Sequence, residues 1–371
     1  MRKKQYRKLA IAAACVCVVL LIGLAEHLFT GQLPVENVAG EWSKDGGYAA
    51  VSAFFSEDAG VTDSQVMMWE RSLTTALEEA SQDVTDSNGR NLVDCYSAEG
   101  ELTVCSEKTS ATVRAFGIGN DFFLFHPLTL LDGNYFNGTD ENGDGVILDE
   151  NVAWQLFGSA HVAGMNVEIN GVTYPVRGVV RSDKGAFSGA AEEEKATVYV
   201  AYSIMSGDGE EALPLDSYEI LIRNPVQKFG YNALKNAVGL DEAEYELVEN
   251  SARYSLLNRL TILRNFGARS MRTKNIVYPY WENRARAYED VTALLLVIEM
   301  LLLIYPFLYV CGRLHAFWKQ KKEIGQKAWH GIRTFASYLP GYVKRWKEKE
   351  RPERKKRVRK KRQIAEEDRL E

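Results

Sequence analysis

Two long apolar runs constrain this chain more than any other feature. Leu9 to Ala25 carries no charge, and Leu28 and Phe29 extend its apolar reach past Glu26 and His27. Val291 to Cys311 is apolar except for Thr292 and Glu299. Each approaches the roughly 20 residues that a helix needs to cross about 30 Å of hydrocarbon. Two membrane helices are therefore expected, at residues 9–29 and 291–311. The first has the charged start of a signal peptide, but Gly23-Leu24-Ala25-Glu26-His27 offers no clear A-x-A cleavage site. An uncleaved anchor is the expectation. The apolar stretch continues well past Cys15, which argues against lipid attachment after Ala13-Ala14.

Charge follows the same division. Residues 1–8 carry five Lys/Arg and no acid. From Gln32 to Asp290 there are 20 Lys/Arg against 40 Asp/Glu, a net of −20, and from Gly312 to Glu371 there are 20 against 8, a net of +12. Basic residues sit at the outer end of each run: Arg2, Lys3, Lys4, Arg7 and Lys8, then Arg313, Lys319, Lys321 and Lys322. By the positive-inside rule both termini are cytoplasmic and residues 30–290 lie outside. Glu299 is costly in lipid, so it is expected to mark a contact between membrane helices, with a second subunit as the partner; the alternative is that it lies high enough to reach the outer interface.

Residues 312–371 form a basic cytoplasmic tail. Leu314, Phe317, Trp318, Ile324, Trp329, Ile332, Phe335 and Tyr338 alternate with Lys and His, as in an amphipathic helix on the inner leaflet. After Pro340, the Lys/Arg run from Lys344 to Arg362 reads as solvated and disordered. Its expected partner is anionic lipid rather than nucleic acid, because the tail is tethered to a membrane and shows no recognition fold.

Between the anchors, a β-α-β pattern occurs at both ends. Gln32 to Gly47 reads as a linker; Tyr48 to Phe55 reads as a strand, followed by a helix from Asp63 to about Ser81 whose stripe is Val66, Met67, Trp69, Leu73, Leu77 and Ala80. Leu92–Cys95, Leu102–Cys105 and Ala111–Ile118 read as short strands. Later, Tyr218–Arg223 alternates as a strand, Val226–Val238 as a helix and Tyr245–Val248 as a strand, with a further helical stretch over Ser251–Phe266. The fold class is α+β, with a mainly β part inserted at about 120–205.

Cys95 and Cys105 flank Tyr96-Ser97-Ala98-Glu99-Gly100, which reads as a hairpin turn, so a disulfide between them is expected in an exported segment; free thiols in a strand pair are the alternative. Asp140, Asn142 and Asp144 open like a calcium loop, but the twelfth position is Asn151, not a bidentate carboxylate, so an acidic turn accounts better for the run. His126 and His161 are the exported histidines, and neither lies near a Cys or a second His in sequence. No zinc site, nucleophile motif or dinucleotide loop is evident, and no cofactor or catalytic residue is expected. The sequence contains no G-x-x-x-x-G-K-[ST] phosphate loop.

The most specific stretch is Asn120 to Val180. It has a buried strand (Val146 to Leu148), then Asp149-Glu150 opening a short helix that Phe157-Gly158 ends, then two strands joined at Asn170-Gly171. Gly133, Phe136, Glu150, Ala153, Leu156, Phe157, Gly158, Gly164 and Gly178 together resemble the extracytoplasmic core domain of MacB/FtsX-type ABC transporter permeases. In that family these residues form the fold and are not catalytic. The resemblance implies a porter-like α+β part with an inserted β-rich part, an ABC ATPase subunit and a multi-span permease as partners, and it leaves room for self-association. Family members have four membrane helices, three of them after the exported domain, so this chain reads as a short two-helix variant. A stand-alone anchored binding or scaffold protein reusing the fold is the alternative.

Overall fold

The computed structural model describes residues 2–31, 33–43, 47–80, 90–136, 145–182, 195–206, 213–269 and 274–367. Two units divide the chain: Leu20–Glu299, and Met1–Val19 with Met300–Glu371. The first apolar run is helix α1 (Arg2–Thr30), which exposes Leu9, Val16, Leu20, Leu24 and Leu28. A helix that leaves so much apolar surface uncovered calls for a lipid solvent. The stretch read as a linker contains α2 (Pro34–Trp42), started by proline at its first turn and anchored by buried Leu33, Val38 and Ala39.

Strand β1 (Tyr48–Phe55) is buried at every position, as an apolar run covered on both faces should be. Helix α3 (Asp63–Glu79) follows, closed at its start by a Thr62–Gln65 capping box. It buries Val66, Trp69, Leu73 and Leu77, while Met67 stays half exposed. Strand β2 (Leu92–Cys105) and β3 (Ser110–Asn120) form one long antiparallel hairpin. Much later come β9 (Ser217–Arg223), α7 (Phe229–Val238) and β10 (Tyr245–Glu249). The four strands stand in the order β10-β1-β9-β2, every neighbouring pair antiparallel. The two β-α-β passages therefore interleave, each placing its second strand beyond a strand of the other, which is the split β-α-β arrangement. Helices α3 and α7 pack side by side on one face over Val51, Ala53, Ile220 and Ile222.

The sheet continues past β3 through β8 (Thr197–Ala201), β5 (Val146–Asp149), β7 (Val172–Val180) and β4 (Leu130–Gly133), with β6 (Asn166–Ile169) pairing β7 and the end of β2. Among the described residues, ten strands form one sheet. Helix α5 (Glu150–Phe157) packs Val152, Ala153 and Leu156 into this part, and α6 (Tyr202–Ser206) packs against β3. The opposite face of the first half is covered by α2, the short helix α4 (Phe122–Phe125) and Tyr280 and Trp281, at the start of a long helix α9 (Tyr280–Glu367).

Two expectations are corrected. Residues 96–100 are not a turn but the middle of β2, so Cys95 pairs opposite Asn120 while Cys105 pairs opposite Ser110. Ten residues along one strand separate the sulfurs by about 33 Å, far beyond disulfide reach, and both thiols are free. The tail, read as disordered beyond Pro340, is helical in backbone as far as Glu367. Its Lys, Arg, Glu and Gln are good helix formers, and a proline removes one hydrogen bond without forcing the helix to end.

Candidate functional site

Nearly all the residues of the sequence motif hold the fold together. Gly133 sits opposite Gly178 in the β4–β7 pair, and a Cβ on Gly133 would lie 2.1 Å from the Arg177 carbonyl oxygen. Asp149 caps α5 by accepting from Val152 N at 2.7 Å, with Glu150 in the first turn. Ala153 and Leu156 are buried, Phe157 packs at the edge of the same cluster, and Gly158 ends the helix at φ +72°. Phe136 lies in the aromatic core, and Gly164 N donates to Val176 O at 2.8 Å. Asp140, Asn142 and Asp144 lie outside the described residues.

What distinguishes this domain from an ordinary apolar core is a chain of buried polar groups. It begins at Glu219, on central strand β9, directly opposite Ser52 of β1 and Cys95 of β2. The carboxylate is 1 % exposed. Its Oε1 is 2.7 Å from His126 Nε2, and its Oε2 accepts from Ser52 Oγ at 2.7 Å. Asn250 Nδ2 donates to Ser52 Oγ at 2.8 Å, and Arg253 Nη1 donates to Asn250 Oδ1 at 3.2 Å. Arg253, also buried, then grips the first turns of α9: both its Nη groups donate to Glu282 at 2.7 Å, and its Nε stands 3.0 Å from Glu289. Arg286 donates from Nε to Glu282 at 2.7 Å and from Nη2 to Glu246 on β10 at 2.8 Å. Tyr278, beneath the Arg286 guanidinium at 3.7 Å, donates to the other Glu246 oxygen at 2.8 Å.

Burial alone would push the Glu282 carboxyl up, but Arg253 and then Arg286 outweigh it and hold the group below the usual carboxylate range. The network's buried carboxylates Glu219, Glu282 and Glu289 each meet a cation or a hydroxyl, as charges out of water require, while Glu246 at its far end is partly exposed. Beside the network, β10, helix α8 (Leu256–Arg269) and α9 line an open pocket of about 570 Å³, whose walls include Lys228, Glu246, Glu249, Asn258 and Arg286.

A second ionic cluster lies at the apolar helices. Arg259 of α8 donates to Glu26 of α1 at 2.8 Å and to the Thr292 carbonyl at 3.0 Å, and stands 3.6 Å from Glu299. Glu299 thus meets a cation of its own chain, whereas the sequence suggested a second subunit.

Cys95, His126 and Glu219 bring three metal-ligand atoms within 4.8 Å of one another, the one such group among the described residues. Their geometry is that of a hydrogen-bonded pair beside a thiol. Tetrahedral zinc would hold nitrogen and oxygen ligands about 3.3 Å apart, wider than the 2.7 Å between His126 and Glu219. Burial, then the Glu219 charge, pushes the Cys95 thiol up, which also disfavours the thiolate a metal needs. The sequence could not reveal this cluster. His126 and Glu219 are 93 residues apart, and only the β9–β2 register brings Cys95 beside them.

An acidic α+β domain joined to two helices long and apolar enough to cross a membrane, with ionic contacts reaching both, has the architecture of a membrane-anchored domain. The sequence model of the MacB-like periplasmic core domain matches residues 9–242, and the chain belongs to that family. Among solved structures it is similar to the periplasmic region of MacB from Actinobacillus actinomycetemcomitans, at 17% identity over 59% of this chain and 92% of that one, with a TM-score of 0.39. It is also similar to the extracellular domain of the noncanonic ABC-type transporter YknZ from Gram-positive bacteria, at 15% identity over 54% and 99%, TM-score 0.36. A domain of a putative permease protein from Porphyromonas gingivalis aligns at 12% identity over 62% and 99%, TM-score 0.32. No curated protein sequence matches.

Proposed function

We propose that this chain is the permease-related, non-ATPase subunit of a MacB-type ABC transporter or envelope-signalling complex. Its domain stands outside the membrane, both ends are cytoplasmic, and it couples that domain to an ATPase subunit and a multi-span permease. The observation that carries the coupling is the buried run from Glu219 to Glu282 and Glu289. It ties the centre of the sheet to the first turns of the helix that continues into the second apolar run. A displacement of the domain that left this network intact would have to move α9 with it, since breaking a buried pair costs about 3–5 kcal/mol. The segregated charge supports the orientation. In the tail, exposed Trp318, Trp329, Ile332 and Phe335 among basic residues suit the inner leaflet.

The test is purification of the full chain from its native membranes in mild detergent. An ATP-binding subunit recovered in near-equal amount is expected. Recovery of the chain without one would favour a stand-alone anchored scaffold and overturn the proposal.

A further inference from the structure

Helix α8 is fixed to both apolar helices. Arg259 reaches Glu26 on α1 and the Thr292 carbonyl on α9, with Glu299 beside it, and Ile262 is buried. Glu26 lies three residues before Phe29, the last apolar residue of the first run, and Glu299 lies within the second. For one guanidinium to serve both carboxylates, α8 must sit at the depth where the two helices are still apolar.

Its free side matches that depth. Leu256, Leu257 and Leu260 are 58%, 78% and 41% exposed, and their i, i+1, i+4 spacing gathers them on one face. Arg264 is exposed on the same side, long enough to raise its charge while its stem stays among the leucines. The two helices that Arg259 reaches also expose apolar side chains, Leu24, Leu28 and Phe29 of α1 and Leu294 and Ile298 of α9. In water such a surface would be a liability. Held to two spanning helices by Arg259, it has lipid as its natural solvent.

We infer that α8 is a third membrane element, an interfacial helix lying in the extracytoplasmic leaflet. Leu256, Leu257 and Leu260 enter the acyl boundary, Arg264 reaches the headgroups, and Arg259 sets the depth by pairing with the carboxylates of both spans. Its occupant is lipid. This inference rests on the assignment of α1 and α9 as membrane helices.

The test uses the full chain in nanodiscs of phosphatidylethanolamine and phosphatidylglycerol, with or without lipid brominated near the carbonyl end of its acyl chains. Leu257→Trp and Leu260→Trp are each compared with the unsubstituted chain, Leu24→Trp reports the spanning helix, and Met67→Trp reports the exposed face of α3. The added emission at 257 and 260 is expected to fall about two-fold or more with bromolipid, as for a helix buried about 5–10 Å into the interface. Met67→Trp should be unaffected. Quenching at Leu24 without quenching at 257 and 260 overturns the inference alone. If that unquenched emission is also blue-shifted, protein covers the face, which overturns it equally. Absence of quenching at all three positions overturns it together with the spanning assignment.

Discussion

Glu282 holds two guanidiniums at once, with Arg253 and Arg286 each donating at 2.7 Å in a dry environment. Replacing it by alanine removes one carboxylate partner from Arg253 and one from Arg286. A loss of about 3–5 kcal/mol is expected for a buried pair broken from one side. It should appear as a lower unfolding midpoint in detergent, and an unchanged midpoint would mean that the ions reorganise freely. Two other acids point to the pH range of interest. Burial pushes Asp216 up to about 7, against the hydrogen bond it accepts from Glu99 N, and Asp94 up to about 6, against those from Tyr218 and Asn120. A carboxyl whose folded pKa is raised stabilises the fold in its protonated form. That contribution is complete below about 4 and is lost as pH climbs through 6 to 7. Stability should therefore fall between pH 4 and 7 on account of these groups, and Asp216→Asn should flatten that slope. An unaltered slope in the variant would assign it elsewhere. Little of this was legible in the sequence, because Glu219, His126 and Arg253 look like any surface residues until strand register and helix docking remove them from water.

Elements announced themselves where one local cause decides. Tyr48–Phe55 reads as a strand because nothing in it is charged, and α5 reads as a helix because Asp149 caps it and Gly158 ends it. The Asn170-Gly171 pair takes left-handed φ at both positions, as a two-residue hairpin between β6 and β7 demands. The reading failed where a distant contact decides. Gly100 suggested a turn, yet it lies in mid-strand, where a Cβ would meet the Met205 side chain of α6 at 2.9 Å. The Ser97 hydroxyl bonds instead to Ser217 on β9, and the Glu99 backbone N–H donates to the Asp216 carboxylate beside it. Helix α2 was missed because it is short, with Val38 and Ala39 buried and Trp42 packed beside them. Gly133 gives the sharpest test at this scale. Its φ of +73° and its approach to the Arg177 carbonyl exclude a side chain, so Gly133→Ala should cost about 1–3 kcal/mol by forcing β4 and β7 apart. Gly158→Ala has open space around it and should cost only about 1 kcal/mol. Equal effects would show that backbone strain, rather than strand separation, governs both.

For the chain as a whole, the constraint is solvation on two sides of one barrier. Residues 32–290 have twice as many acids as bases, whereas residues 312–371 are strongly basic. Apolar helices between segments of opposite charge are retained in the orientation that leaves the cations in the cytoplasm. The domain supplies exposed positions, such as Met165, and the tail supplies Trp329. Met165→Cys should react with a membrane-impermeant maleimide in intact cells, above the background set by the native cysteines. Trp329→Cys should react only after the membrane is permeabilised. The opposite pattern would place the acidic domain in the cytoplasm. It would then remove the reason for treating Arg259, Glu26 and Glu299 as a clamp at the outer surface, since the same three groups would face the other leaflet. Reaction of both positions in intact cells would mean that only one of the two apolar helices crosses. The polar chain from Glu219 to Glu289 would then still rigidify the domain, but it would lead into a helix lying on the membrane rather than through it.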